Sequence, residues 1–144
     1  MRLTKLSHDQ VAAILEQPDS FRSLIGYDYE LTRDGGVLVK LIVSERHRNR
    51  VGSVHGGIPS VLMATAGAMS LYAADAGIEK ALNISMNVSY FRNPRALLVA
   101  RGLPERIGGT IAHVGVRLKE GGEGGETVAS AQIVYRVIRC KGET

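Results

Sequence analysis

Residues 49–75 have the sequence NRVGSVHGGIPSVLMATAGAMSLYAAD, and the rest of the chain is arranged around them. No charged residue interrupts this stretch between its second and last positions, and the pair Gly56-Gly57 precedes a run with helical character. Pro59 suits the first turn of a helix, where a missing N–H has no partner to lose, and Gly77 supplies a stop signal. The stretch therefore predicts one long apolar helix that begins close to Gly57.

This helix is apolar around its whole circumference, and small residues keep it slim: Ala64, Ala66, Gly67, Ala68, Ala73 and Ala74. Such a helix is either wrapped by protein or inserted in a membrane, and its length is near the lower limit for a membrane span. The proline and histidine at one end, the Ser and Thr residues within it, and the strand-like patterns that follow favour a helix buried in a sheet rather than a membrane helix.

The beginning of the helix is a candidate binding position. The first N–H groups of a helix have no internal partner, and the helix dipole is positive there. Asn49 and His55 lie in the polar segment that leads to it. The segment therefore combines unpaired backbone donors near Gly57 with two polar side chains.

The spacing Asn49-x-x-Gly52-x-x-His55-Gly56-Gly57, followed by a hydrophobic helix and then by NISMNVSYFRNP at residues 83–94, resembles the hotdog-fold thioesterases of the phenylacetate-degradation (PaaI-like) type. The likeness extends over most of the chain. It implies an α+β hotdog fold, in which a curved antiparallel β-sheet wraps around a long central helix, and it implies hydrolysis of an acyl-CoA thioester.

The remaining patterns agree with that fold. A capping-box pattern at Ser7 and Gln10 predicts a short N-terminal helix. Alternation and turn signals predict strands at 27–32, 37–43, 81–91, 97–101, 110–119 and 127–138, and short turns between them imply an antiparallel meander with one long excursion through the helix. Within 81–91, Ile84, Met86, Val88 and Tyr90 are expected on one face, and Asn83, Ser85, Asn87 and Ser89 on the other.

Length and composition bound the remaining possibilities. With 144 residues, 44% hydrophobic and 22% charged, the chain is expected to be one globular domain spanning 1–144. The net charge of +4 suits a polyanion such as coenzyme A, while the absence of Trp and of any nucleic-acid motif disfavours nucleic acid. Cys140 is the single cysteine, so no internal disulfide can form; with no secretory signal evident, a cytoplasmic location is expected.

The other three histidines are not expected to take part in a site. His8 is expected in solvent and His47 on the surface of a polar loop, and His113 lies on a strand without partners at metal-ligand spacing. Neither a metal site nor a cofactor is predicted, apart from coenzyme A as part of the substrate.

The resemblance assigns the polarising half of a thioesterase site to Asn49, His55 and the Gly57 N–H, in a cleft at a dimer interface. The N–H would face the developing oxyanion, and the two side chains would orient water or the thioester. The alternative is structural, with His55 capping the helix and Asn49 stabilising the loop. Gly56 is expected to line the substrate site.

The catalytic half departs from the family. The carboxylate that these enzymes carry nine residues after the motif histidine is replaced by Ala64, and a hydroxyl that often assists aligns with Asn83. Thr65, Asn83, Ser85, or His55 acting as the base are the substitutes, whereas Asp75 is nearly three turns too far along the helix.

Arg92 and Arg95 are candidates to bind the anionic coenzyme A tail, or else are solvated loop charges.

Three candidate functions remain for the chain. The first is an acyl-CoA thioesterase that works as a homodimer or dimer of dimers. The second is a non-catalytic acyl-CoA-binding hotdog protein. The third is a hotdog hydratase, which is disfavoured because His55 has no aspartate at the expected upstream position.

Overall fold

The computed structural model describes residues 4–142, which form one sheet and three α-helices. In chain order the elements are α1 (His8–Leu15), α2 (Ser20–Ile25), β1 (Asp28–Leu31), β2 (Val37–Ile42), a 3₁₀ turn (Glu45–His47), α3 (Gly57–Ala74), β3 (Ile78–Tyr90), β4 (Leu97–Ile107), β5 (Ile111–Glu120) and β6 (Glu126–Arg139). All the predicted elements are present, and the hotdog fold is confirmed.

The six strands form an antiparallel sheet in the order β1-β2-β4-β5-β6-β3. This order differs from the predicted meander, because β3 lies at the far edge beside β6 instead of following β2. The helix α3 packs against one face of the sheet and touches β2 through β6. Since the sheet curves around α3, the chain can leave the end of this helix and join the distant edge.

Close approach between α3 and the sheet explains the small residues of this helix. At Gly102 on β4 an added Cβ would lie 2.7 Å from the Ala66 carbonyl oxygen, and at Gly67 it would overlap the hydroxyl of Tyr135. The larger residues Leu62 and Met63, one turn earlier on α3, are fully buried. The helix is long and apolar enough to cross a membrane, but half of it is buried, as expected for a helix that the sheet wraps.

The N-terminal helices cover the far end of α3. Ser7 and Gln10 form the predicted capping box, and the buried residues Val11 and Leu15 of α1 pack against β2 and the last turn of α3. Asp19 caps α2 by accepting from the Arg22 N–H at 3.1 Å. The short N-terminal helix is therefore confirmed, with a second one after it.

A β-bulge changes the predicted faces of β3. Asn83 pairs with Tyr135, but the next pair joins Ser85 to Val134, so Ile84 is an extra residue in the strand. Directly opposed residues share a face. Asn83 therefore lies on the same face as Met86, because both oppose buried core residues of β6. The predicted alternation is wrong at Asn83 and Ile84, since a bulge reverses the side-chain period on one side of it.

Candidate active site

The loop before α3 is held from below by His47. This residue is buried, so the predicted surface position is wrong. Its Nδ1 accepts from the Ser44 N–H at 3.0 Å, which leaves Nε2 to donate to the Ile25 carbonyl oxygen at 2.7 Å. The His47 carbonyl oxygen then accepts from the His55 N–H at 2.9 Å. His47 is thus a structural residue, and its carbonyl oxygen fixes the position of the His55 backbone.

Asn49 shapes the turn at the top of this loop. Its Oδ1 accepts from the N–H groups of Val51 and Ser53, both at 3.1 Å, and its own N–H donates to the Ser53 carbonyl oxygen at 2.7 Å. The oxygen of the side chain is therefore engaged in the loop, and only the amide NH₂ could face a ligand. A direct role in chemistry stays a prediction.

His55 and Gly57 are in direct contact at the exposed start of α3. The Gly57 N–H donates to Nδ1 of His55 at 2.9 Å. Because Nδ1 accepts this bond, the imidazole is neutral and carries its proton on Nε2. A Cβ at position 57 would lie 3.0 Å from Nδ1, so a glycine lets the ring approach. Capping by His55 and an accessible Gly57 amide are thus alternative uses of one N–H group.

The carbonyl group next to this amide is held by two hydroxyl groups that sequence reasoning missed. The Tyr90 hydroxyl donates to the Gly56 oxygen at 2.8 Å, and the Ser60 hydroxyl lies 2.8 Å from Tyr90 and 3.3 Å from the same oxygen. Tyr90 is separated from Ser60 by 30 residues. No local pattern could have brought the two together, because the contact depends on where β3 ends relative to α3.

A second contact joins the end of β3 to the loop. The Asn93 side chain accepts from the Val54 N–H at 3.1 Å. The segment that follows β3 therefore holds the chain immediately before His55, while Tyr90 holds it immediately after. Both contacts arise from the YFRNP run that resembles the family.

Ala64 lies seven residues after Gly57, nearly two full turns and about 10 Å along the same face of α3. It is half-buried, as is its neighbour Thr65. The Ala64 carbonyl oxygen accepts from the Tyr135 hydroxyl at 2.6 Å, and burial raises the pKa of Tyr135, which keeps this phenol a neutral donor. No acidic residue lies on α3.

The next acidic residue along the chain, Asp75, is committed to structure. It is 4% exposed, forms a 2.6 Å ion pair with Arg139, and accepts from the Gly77 N–H at 2.9 Å. Position 64 therefore has no substitute carboxylate from α3 or from the residue that ends it.

The bulge separates the two polar residues predicted on β3. Asn83 opposes Tyr135 on the face toward α3, and Tyr135 in turn reaches the Ala64 carbonyl. Ser85 opposes Val134 on the outer face of the sheet. Asn83 is thus on the helix-facing side of the sheet, although it is exposed, whereas Ser85 lies on the other side of the same sheet.

The two arginines predicted to bind the anionic tail differ. Arg92 forms ion pairs with Glu120 at 2.8 Å and with Glu126 at 3.0 Å, so its charge is already balanced. Arg95 is exposed; its backbone N–H donates to Glu120, and within residues 4–142 its guanidinium group has no carboxylate within 4.0 Å. Bonding to the Arg95 N–H lowers the pKa of Glu120, despite burial, and so keeps Glu120 ionised for Arg92.

The remaining features of the described chain lie away from this cluster. His8 is exposed, as predicted, and His113 is exposed on β5. Residues 4–142 contain no group of three or more His, Cys, Asp or Glu side chains suited to a metal ion. A cavity of about 540 Å³ lies at the opposite end of α3, where Phe21, Tyr29, Met69 and Tyr72 form part of its lining. Its lining includes Asp19 and Ser20, but these residues form the cap and the first position of α2. The candidate site is therefore taken to be the exposed start of α3.

Comparison with known proteins finds one sequence relative and many solved structures with a similar fold. No model of a known protein family matches the sequence. A candidate esterase of Halobacterium salinarum is 29% identical over 117 residues, which cover 76% of this chain and 78% of the relative.

Solved structures match the fold over almost the whole chain. A mutant thioesterase from Pseudomonas aeruginosa has a TM-score of 0.76 at 22% identity, covering 95% of this chain and 97% of its own. The PaaI protein from the phenylacetic acid degradation operon of E. coli has a TM-score of 0.77 at 21% identity, with 91% and 93% covered. A Bacillus halodurans protein solved with CoA has a TM-score of 0.74 at 26% identity, with 92% and 89% covered. The predicted resemblance to hotdog thioesterases is confirmed in the fold.

Proposed function

We propose that this chain is an acyl-CoA thioesterase that converts an acyl- or aryl-CoA thioester and water into the free acid and coenzyme A. The observation that carries the proposal is the Gly57 N–H at the exposed beginning of an 18-residue helix, paired with the Nδ1 of a neutral His55 at 2.9 Å. An N–H at this position faces developing negative charge with the helix dipole behind it. The partner of this N–H is the imidazole of His55, a group that can take up a proton and so act as a general base.

One exchange of partners would start the reaction. The thioester carbonyl oxygen replaces Nδ1 as the acceptor for the Gly57 N–H, and the lone pair of Nδ1 becomes available to a water molecule. The oxygen of this water attacks the carbonyl carbon while Nδ1 takes one of the protons of the water. The resulting oxyanion accepts a hydrogen bond from the Gly57 N–H. The C–S bond then breaks, and the proton on Nδ1 passes to the coenzyme A sulfur.

In this scheme His55 supplies the base that a carboxylate at position 64 supplies in the enzymes the chain resembles. A histidine base is needed because α3 carries no acidic residue and the carboxylate of Asp75 is paired with Arg139. Asn83 lies on the face toward Ala64 and could hold the attacking water by hydrogen bonding. Thr65, half-buried beside Ala64, could assist in the same way, but neither side chain could activate the water.

Coenzyme A binding is supported by the similar Bacillus halodurans structure with CoA and by the Arg95 guanidinium group, which has no carboxylate partner among residues 4–142. We further propose a homodimer or a dimer of dimers. Within residues 4–142, β3 is bonded to β6 along one edge and its other edge is unpaired. Apolar residues of β3 and of the residue after it are exposed: Leu82, Ile84 and Phe91. Long exposed edges with apolar side chains are normally covered, and pairing with a second copy would cover this one beside the start of α3.

A non-catalytic acyl-CoA-binding protein is the second candidate, and the alanine at position 64 favours it. If the missing carboxylate is the only route to water activation, the Gly57 amide would bind a thioester without hydrolysing it. Both candidates use the same site at the start of α3 and differ only in turnover.

The test is release of the coenzyme A thiol from aryl, short-chain and long-chain acyl-CoAs. The wild type is expected to hydrolyse at least one of them, and His55→Ala to lose on the order of a hundredfold or more in kcat, the usual contribution of a general base. His113→Ala, which removes an exposed histidine from the outer face of the sheet, should leave the rate unchanged.

Position 64 separates the two candidates. Ala64→Asp restores the family carboxylate, and Ala64→Asn has the same shape without the charge. A silent wild type combined with turnover by Ala64→Asp alone would establish the binding protein. Absence of both turnover and acyl-CoA binding in all variants would overturn both candidates.

A further inference from the structure

We propose that Tyr90 and Ser60 are positioning residues that aim and polarise the Gly57 N–H through the peptide group between Gly56 and Gly57. This inference rests on the proposed function, in which that N–H binds the thioester carbonyl. It assigns a role to two hydroxyl groups that were given none in the sequence analysis, although Tyr90 belongs to the run that resembles the family.

The geometry is that of one peptide group held at both ends. Its N–H donates to His55 at 2.9 Å, and its C=O accepts from Tyr90 at 2.8 Å. A trans peptide is planar, with its N–H and C=O pointing in opposite directions. Fixing the direction of the oxygen therefore fixes the direction of the hydrogen. When a ligand displaces His55, the bond from Tyr90 remains and keeps the N–H pointing at the position that Nδ1 left.

The hydroxyl groups form a directed chain. Tyr90 has one hydrogen to donate and gives it to the Gly56 oxygen, so its own oxygen can accept from Ser60 at 2.8 Å. Ser60 lies 3.3 Å from the same carbonyl oxygen, a longer contact than the one from Tyr90. Hydrogen bonds in a chain polarise one another, and a carbonyl that accepts makes the N–H of its peptide a stronger donor. Ser60 thus acts on the amide through Tyr90.

The exposure of Tyr90 argues that these bonds are not there for stability alone. The residue is 53% exposed, and its hydroxyl group bonds in a part of the molecule that water can reach. Hydrogen bonds in such places add little to the free energy of unfolding, because water replaces them. Tyr90, at the end of β3, reaches the first turn of α3. Its bond instead fixes the orientation of the glycine-rich start of that helix.

The first experiment measures kcat and KM for Tyr90→Phe and Ser60→Ala. Loss of the Tyr90 hydroxyl is expected to lower kcat about tenfold with KM within about twofold, the size of one hydrogen bond acting on the transition state. Ser60→Ala should lower kcat about threefold, and Ser60→Thr, which keeps the hydroxyl, should restore the rate. Tyr72→Phe removes a tyrosine hydroxyl at the opposite end of α3 and is the matched control, with kcat unchanged.

A binding experiment separates this inference from the proposed function. The probes are a ketone analogue, with a methylene between carbonyl and sulfur, and a thioether analogue of equal length, which has no carbonyl. The wild type should bind the ketone more tightly than the thioether, because only the ketone accepts from Gly57. Tyr90→Phe should lose most of that preference while binding the thioether as before.

The outcomes are distinct. A wild type that binds both analogues equally would overturn the Gly57 donor and with it the proposed function. A wild type that prefers the ketone, together with a Tyr90→Phe variant that keeps both this preference and kcat, would overturn the positioning role alone. Equal losses for ketone and thioether in Tyr90→Phe would mean that the tyrosine only shapes the pocket.

Discussion

The two ends of α3 are built in opposite ways. At its C-terminal end, Asp75 is buried and closes the helix with an ion pair to Arg139, while the Arg139 guanidinium group also donates to the carbonyl oxygens of Gly108 at 2.8 Å and Gly109 at 3.2 Å. Three separate parts of the chain meet in this cluster. Every bond in it ties one element to another.

At the N-terminal end the same helix begins with two glycines and no side-chain cap at Gly56. The groups that meet there, His55, Gly57, Ser60 and Tyr90, are exposed or half-buried. Their bonds can be exchanged for bonds to water or to a ligand at low cost. The bonds at one end of α3 join distant parts of the chain, whereas those at the other end are exchangeable, and the exchangeable end is where we propose that binding occurs.

The strongest test of this contrast is Asp75→Ala. Removing the carboxylate leaves the Arg139 guanidinium group partly buried without its counter-charge, so the free energy of unfolding should fall by about 3 kcal/mol. Urea unfolding measures the loss. The matched control is Asp28→Ala, which breaks the exposed Arg22–Asp28 ion pair of 3.0 Å and should cost less than about 1 kcal/mol. Equal losses in the two variants would show that the closed end is not a special source of stability.

The two histidines of the loop before α3 give a second test. His47→Ala removes a buried imidazole and leaves the Ser44 N–H and the Ile25 carbonyl oxygen, whose bonds to it are part-buried, without that partner. The free energy of unfolding should fall by about 2 kcal/mol. His55→Ala should lower it by only about 0.5 kcal/mol, because water can replace an exposed bond. Thermal or urea unfolding of both variants checks the prediction. A larger loss in His55→Ala would make the motif histidine a structural cap.

The smallest expected effect compares one chemical change at both ends. Tyr72→Phe removes the hydroxyl that accepts from the Ala81 N–H at 2.9 Å and should cost about 1 kcal/mol, since that half-buried donor loses its partner. Tyr90→Phe should cost about half as much or less in stability. If the order were reversed, with Tyr90→Phe the more destabilising variant, the open end would also be a structural one.

Much of this architecture could be predicted from the sequence. Periodicity and turn residues located the six strands, and the uncharged run from Gly57 onward located α3. The limits of β4 were missed, because Pro104 lies inside it and was not expected there. The strand tolerates this proline next to an irregular pairing between Pro104 and Arg106.

The site was predicted only in part, for a definite reason. The motif fixed the positions of His55 and Gly57, which are neighbours in sequence and therefore neighbours in space. Tyr90 escaped prediction because it is 34 residues from Gly56 and meets it only through the path of the sheet. Arg92 was predicted to face an anion, but the fold brings two carboxylates to it.

Four features follow from the amino-acid sequence alone: the long apolar helix, its glycine-rich start, the set of strands and the alanine at position 64. These depend on local chemistry, namely backbone propensity, side-chain period and charge. Only the tertiary structure decided which edge β3 joins, which face Asn83 occupies after the bulge, and which hydroxyl groups hold the Gly56 carbonyl. Such features depend on contacts between distant parts of the chain, and curvature and register set those contacts only once the sheet has closed around the helix.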